Sequence, residues 1–87
     1  MTVFDLIAAE QARAKNLRDS GKLRWVASDP DCPDHKRLEA LVEEIGEVAR
    51  ALHDGESHER LLEELIQVAG VAASWAEYLI EFELVTS

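Results

Sequence analysis

The chain has 87 residues, with 18 acidic against 9 basic side chains and a formal net charge of −9. That balance excludes a nucleic-acid backbone as partner, which needs a basic footprint, and it works equally against an anionic membrane surface. Hydrophobic content of 47% is ordinary for a globular protein, and the length predicts one domain over residues 1–87, which at this size buries only about 60–65% of its unfolded surface and is marginal alone.

The single Cys32 has no disulfide partner and no zinc ligands at a recognisable spacing, which fits a reducing compartment. No charged-then-apolar leader opens the sequence. The longest apolar run, Leu65 to Ile80, is interrupted by Gln67 and Glu77 and is short for a membrane span. The expectation is a cytoplasmic protein with neither a membrane nor a nucleic acid as partner.

Thr2 with Asp5 three positions on forms a variant of the capping box. Phe4, Ile7, Ala8, Ala14 and Leu17 follow at helical spacing, so a first helix is predicted over about 3–19. Arg13, Lys15 and Arg18 read as its solvated basic residues. Ser20 and Gly21 end it. Residues 21–34 form a loop, long for a compact domain, with Trp25 between Lys22/Arg24 and two X-Pro steps. Trp25 either pins this loop onto the helices or stacks on a base while Lys22 and Arg24 meet phosphate.

Asp34 is the expected N-cap of a second helix that runs to about His53, and Asp54-Gly55 breaks it. At about 100° per residue, Leu38, Leu41, Val42, Ile45, Val48, Ala49 and Leu52 form one stripe, the expected core face. Lys36, Glu39, Glu43, Arg50 and Asp54 gather on the solvated side. Glu44 and Glu47 fall on neither; they share a flank with Ala40 and Ala51, where small residues suggest close packing. Gly46, on the other flank, is expected to admit a close helix contact. His53 and His58 read as solvated turn residues.

Ser57 can cap a third helix, predicted over about 58–84. One apolar face holds Leu61, Leu62, Leu65, Ala69, Ala72, Ala76, Leu79 and Ile80. A mixed face holds Glu64, Gln67, Val71, Ser74, Trp75, Tyr78 and Phe82, leaving Glu63, Gly70, Glu77 and Glu81 as a narrow exposed strip. Two shorter helices cannot cover both faces, so a homodimer or homotetramer is expected, with the third helix at the shared interface.

Packed antiparallel, helices two and three can bring Glu44, Glu47, Glu64 and Gln67 together. Three carboxylates at about 5 Å and an effective dielectric near 20 repel by roughly 3 kcal/mol per pair. The total rivals the whole stability of a small domain. Protonation, arginine partners such as Arg37, Arg50 or Arg60, or a divalent cation must offset it. Carboxylate oxygens suit magnesium, with manganese as the alternative, and bound magnesium is commonly completed by substrate phosphates.

The strings EEIGEVARAL and EELIQVAGVAASWAEYL, separated by a short turn, resemble the MazG-like all-α nucleoside triphosphate pyrophosphatases over about residues 38–80. The superfamily signature is ExxE on one helix and ExxD on the next. Glu44-Ile45-Gly46-Glu47 matches the first half; Glu64-Leu65-Ile66-Gln67 has glutamine where the family has aspartate. The resemblance implies an all-α helical bundle, about three helices per chain, completed by oligomerisation. It implies magnesium-dependent hydrolysis of an NTP or dNTP to a monophosphate and pyrophosphate. Glu44, Glu47 and Glu64 would be catalytic and, with Gln67, would hold the metal, while Lys22, Arg24 and Trp25 are the candidate substrate contacts. Gln67 can ligate through its amide oxygen but brings no charge and is no base. The alternative is a catalytically degenerate nucleotide-binding or helical interaction module on the same fold.

Overall fold

A computed structural model describes residues 1–84, and all regular structure among them is helical. Helix α1 is Val3–Asp19, α2 is Asp34–His53 and α3 is His58–Tyr78, continued by a π-helical stretch over Leu79–Leu84. The single-domain expectation for 1–87 extends over residues 85–87, which lie outside the described residues. None of the described helices is long and apolar enough to cross a membrane.

The ends of the helices follow local chemistry. Thr2 and Asp5 exchange backbone-to-side-chain hydrogen bonds of 2.9 and 3.2 Å, which satisfies two orphan N–H groups of α1. At the other end Gly21 takes a positive φ of 82°, and the Lys22 N–H donates back to the Leu17 carbonyl at 2.8 Å. Pro33, not Asp34, precedes α2 as its cap residue, and it supplies no side-chain cap. Asp34 is instead the first helical residue, and its carboxylate accepts from Arg37 at 2.6 Å. Ser57 caps α3 by accepting from the Arg60 N–H at 3.1 Å. The third helix keeps α-helical bonding only to Tyr78 and widens beyond it, short of the α-helix to 84 predicted from periodicity.

Both α1 and α2 pack on α3, and they make no comparable contact with each other. The central element is therefore α3, with α1 and α2 diverging from it and the 20–33 connection closing one end. The radius of gyration is 13.7 Å, against about 12 Å for a compact domain of this length, so the three-helix arrangement is open.

The helices are turned differently from the expected way. Most of the predicted core stripe of α2 faces outward: Leu38 is 52% exposed, Val42 57%, Ile45 51% and Leu52 63%, while Leu41 and Val48 are half-buried. What faces inward is the flank of small and acidic residues, with Ala51 buried and Ala40, Glu44 and Glu47 partly so. On α3 the mixed face is covered within the chain, with Glu64, Ile66, Gly70 and Ser74 buried. Its apolar face is the one left over, with Leu62, Leu65, Leu79 and Ile80 exposed. Gly70, expected on the solvated strip, is buried, and a Cβ there would meet Glu10 Cγ at 3.0 Å. Gly46, expected at a helix contact, has open space around it. The physical reason is shared by these differences. Alanine and glycine let helices approach closely, so the small flank of α2 and the glycine of α3 make the intrachain contacts, while the bulky stripes would hold the helices apart.

The connection supplies much of the buried apolar surface: Val26, Ala27 and Cys32 are buried with Ala51 and Ile66. Arg37 pins it. Its side chain is 2% exposed and donates to the carbonyls of Ala27 and Asp29 at 2.7 and 2.6 Å. Arg18 of α1 pairs with Asp29 from the other side.

Candidate functional site

The divergence of α1 from α2 leaves a cleft floored by α3 and closed at one end by the connection. Its cavity is about 210 Å³ and is lined by residues of all four segments, among them Gln11, Trp25, Glu44, Gln67 and Ser74. Such a volume is below that of sites enclosing a whole drug-sized ligand, so it can hold one part of a larger molecule.

Glu44 and Gln67 are half-buried at this cleft, as their shared placement between core and solvent faces predicted. Glu64 is buried one turn before Gln67, with its side chain 3% exposed. Glu47 is more open, at the edge where α2 turns toward α3, near Ala51, Arg60 and Glu64. The four predicted positions thus share one side of the α2–α3 hairpin, with Glu44 and Gln67 at the cavity and Glu47 and Glu64 toward the turn.

Two of the acids have arginine partners from their own helices. Arg60 Nη2 lies 2.9 Å from Glu64 Oε1, and Arg50 Nη1 lies 3.5 Å from Glu47 Oε1. The other oxygens tell a different story. Glu44 Oε2 and Glu64 Oε2 are buried with no hydrogen-bond partner, and an unpartnered buried polar atom is costly. Burial pushes the Glu44 carboxyl above the ordinary carboxylate range, and the negative charges of Glu64, Glu10 and Glu47 push it further the same way; Arg13 opposes them.

The acid cluster therefore has a fourth member that wheel positions on α2 and α3 could not show. Glu10 stands on the inward face of α1, paired with Arg13 at 2.6 Å. Gln11, on the same face, donates to the Ser74 hydroxyl at 3.1 Å and to Glu77 at 3.0 Å. The available signal was the helical face they share with Ile7, Ala14 and Leu17, where two polar residues interrupt an otherwise apolar set. Arg13, read from sequence as merely solvated, also lines the cleft.

The predicted substrate contacts divide. Trp25 lines the cavity, half-buried, with the Arg24 guanidinium 4.4 Å from its ring centre. Trp25 thus presents a half-buried ring to the cleft. Arg24 and Lys22 are exposed; Arg24 reaches the site only through Trp25, and Lys22 is not among the cavity residues.

Hard carboxylate oxygens, two of them buried without partners, fit a divalent cation by their chemistry. As the side chains stand, no group of three or more His, Cys, Asp or Glu among the described residues is arranged to hold a metal ion. The fit is thus one of donor type and unmet demand.

No family model matches the chain, and neither a curated protein nor a solved structure matches it.

Proposed function

We propose that the chain hydrolyses a nucleoside triphosphate, NTP or dNTP, to a monophosphate and pyrophosphate with magnesium, or manganese in its place. The observation that carries this reading is the pair of buried, unpartnered carboxylate oxygens on Glu44 and Glu64, beside a cavity faced by an aromatic ring and an amide. The resemblance of residues 38–80 to the MazG-like pyrophosphatases supports the same chemistry.

In this reading Glu44, Glu47 and Glu64 hold the cation, with Gln67 contributing a neutral oxygen. Bound there, magnesium supplies Lewis-acid polarisation of the phosphates. Trp25 stacks on the base and Gln67 or Gln11 meets its polar edge. Arg13 and Arg24 carry the positive charge nearest the cleft for the phosphate chain. Glu44, Glu47 and Glu64 are the ligands, or one of them is instead the base that takes a proton from the attacking water.

A second reading is a helical nucleotide-binding or interaction module without catalysis. The arginine pairs on Glu47 and Glu64 and the uncharged Gln67 favour it, because they lower the demand for a metal. Pyrophosphate release from a panel of NTPs and dNTPs, with and without magnesium, separates the two. Activity in the wild type that is lost in Glu44→Gln and Glu47→Ala establishes the enzyme. Silence in the wild type with turnover in Gln67→Asp identifies a degenerate site. Silence in both, with no coupled binding of magnesium and nucleotide by titration calorimetry, leaves the module.

A further inference from the structure

We propose that Glu10 of α1 is a further ligand of the divalent cation, supplying at the cleft the charge that the Gln67 amide cannot, and that Arg13 holds its place until the cation binds. This rests on the cation site proposed above and adds to it a carboxylate from α1, the helix that contributes none of the acids read from sequence.

The first observation is where Glu10 sits. Glu10, Arg13 and Gln67 line both the cleft and a neighbouring cavity between α1 and α3, so they form the wall between the two. The Glu10 side chain is 16% exposed and lies against Gly70, where a Cβ would stand 3.0 Å from its Cγ. Gly70 is one turn along α3 from Gln67, on the same face. The next residue of α1 fixes this register: Gln11 donates to Ser74 at 3.1 Å and to Glu77 at 3.0 Å. The missing side chain at position 70 thus lets a carboxylate of α1 come in next to Gln67.

The second observation is unmet demand in the same cluster. Glu44 Oε2 and Glu64 Oε2 are buried without a hydrogen-bond partner, and the Glu64 side chain is 3% exposed. Acids so placed need a counter-charge. Burial and then Glu64 raise the Glu44 carboxyl most; Glu10 follows, ahead of Glu47, which is only one turn away on Glu44's own helix. Glu10 therefore belongs with the acids of α2 and α3. A hard cation gains from each added carboxylate oxygen, and with Gln67 neutral the one that α1 brings is Glu10.

Arg13 accounts for the present position of Glu10. It takes both carboxylate oxygens, through Nε at 2.8 Å and Nη2 at 2.6 Å. That hydrogen bonding, together with the charges of Glu10 and Glu44, holds the Arg13 guanidinium above its ordinary value, so one cation answers two acids. Yet Arg13 is more than half exposed, and an exposed pair three residues apart on one helix is weak. A divalent cation carries twice the charge and displaces it at little cost. The released guanidinium stays at the cleft, where a phosphate can take it up. Cation and phosphate binding are thereby coupled through one exchange.

Manganese binding by the full chain tests this, read as free ion by electron paramagnetic resonance with no nucleotide present. Glu10→Gln keeps the stem over Gly70 and removes only the charge; it is expected to bind manganese about 10-fold more weakly, or worse. Glu81→Gln loses the same charge at an exposed position beyond α3 and is expected to bind like wild type. Arg13→Gln, with the competing cation gone, is expected to bind more tightly than wild type, which a purely structural Glu10–Arg13 pair would not produce. Gln67→Asp in the Glu10→Gln background should recover the lost affinity. Circular dichroism checks that each variant keeps its helices. A Glu10→Gln variant that matches wild type while Glu44→Gln loses manganese overturns the role of Glu10 and leaves the proposed function standing. An Arg13→Gln variant that binds no more tightly than wild type overturns the exchange. A wild type that binds no manganese overturns this inference and the cation site together.

Discussion

The Arg37 guanidinium lies 3.7 Å from the centre of the Tyr78 ring, so the first turn of α2 meets the last turn of α3 through a cation over an aromatic face. The same guanidinium holds two carbonyls of the connection. One side chain therefore joins both ends of the helical hairpin to the segment that carries Trp25.

Replacing Arg37 should loosen that segment as well as destabilise the whole. Arg37→Ala leaves the Ala27 and Asp29 carbonyls without their donor and is expected to cost about 3 kcal/mol or more. Arg37→Lys should recover only part of this, since a point ammonium cannot reproduce the planar fork. Urea unfolding measures the loss. Hydrogen exchange should show amides of residues 26–32 losing protection ahead of those in α1.

Glu44 should make stability depend on pH in an unusual direction. Its carboxyl is raised by burial and then by Glu64, Glu10 and Glu47, so the folded chain binds its proton more tightly than the unfolded chain does. Below the ordinary carboxylate value both states are protonated and the group costs nothing. As pH rises from that value through the raised one, the folded state loses stability. Glu44→Gln removes this loss. Thermal melts should show the variant more stable than wild type at neutral pH and equal to it in acid. If the two melt together at neutral pH, burial of a charged Glu44 carries no penalty.

Glu64 and Arg60 should be coupled with a definite sign. Arg60→Ala leaves a buried carboxylate without its cation and should destabilise the chain. In a Glu64→Gln background, where there is no charge left to compensate, the same substitution should matter less. A double-mutant cycle by urea unfolding reads the difference, and additive effects would show that the pair contributes nothing.

The two helical glycines should respond differently to alanine. Gly46 has open space where a Cβ would go, so Gly46→Ala should stabilise by about 1 kcal/mol through helix propensity. At Gly70 the Cβ would stand 3.0 Å from Glu10 Cγ and 3.7 Å from its Cβ. Displacing Glu10 from its place beside α3 should offset the same propensity gain by about 1–2 kcal/mol. Chemical unfolding of the two variants side by side checks the contrast.

Much of the helical layout was legible in the sequence, because helix ends are written in local chemistry. Thr2 with Asp5, Gly21, Gly55 and Ser57 mark where backbone groups need partners or where φ turns positive, and the structure places the breaks there. That Glu44 and Glu47 share one flank of α2, and Glu64 and Gln67 one face of α3, was legible too, since helical spacing alone sets which residues of one helix share a side. Tertiary structure decided which face turns inward. Hydropathy favoured the leucine and isoleucine stripes, but close approach of helices favours alanine and glycine, and Ala40, Ala51 and Gly70 prevailed. It also decided that α1 contributes Glu10, Gln11 and Arg13 to the cleft, because periodicity places Glu10 and Gln11 on the inward face of α1 but does not say which residues of another helix they meet.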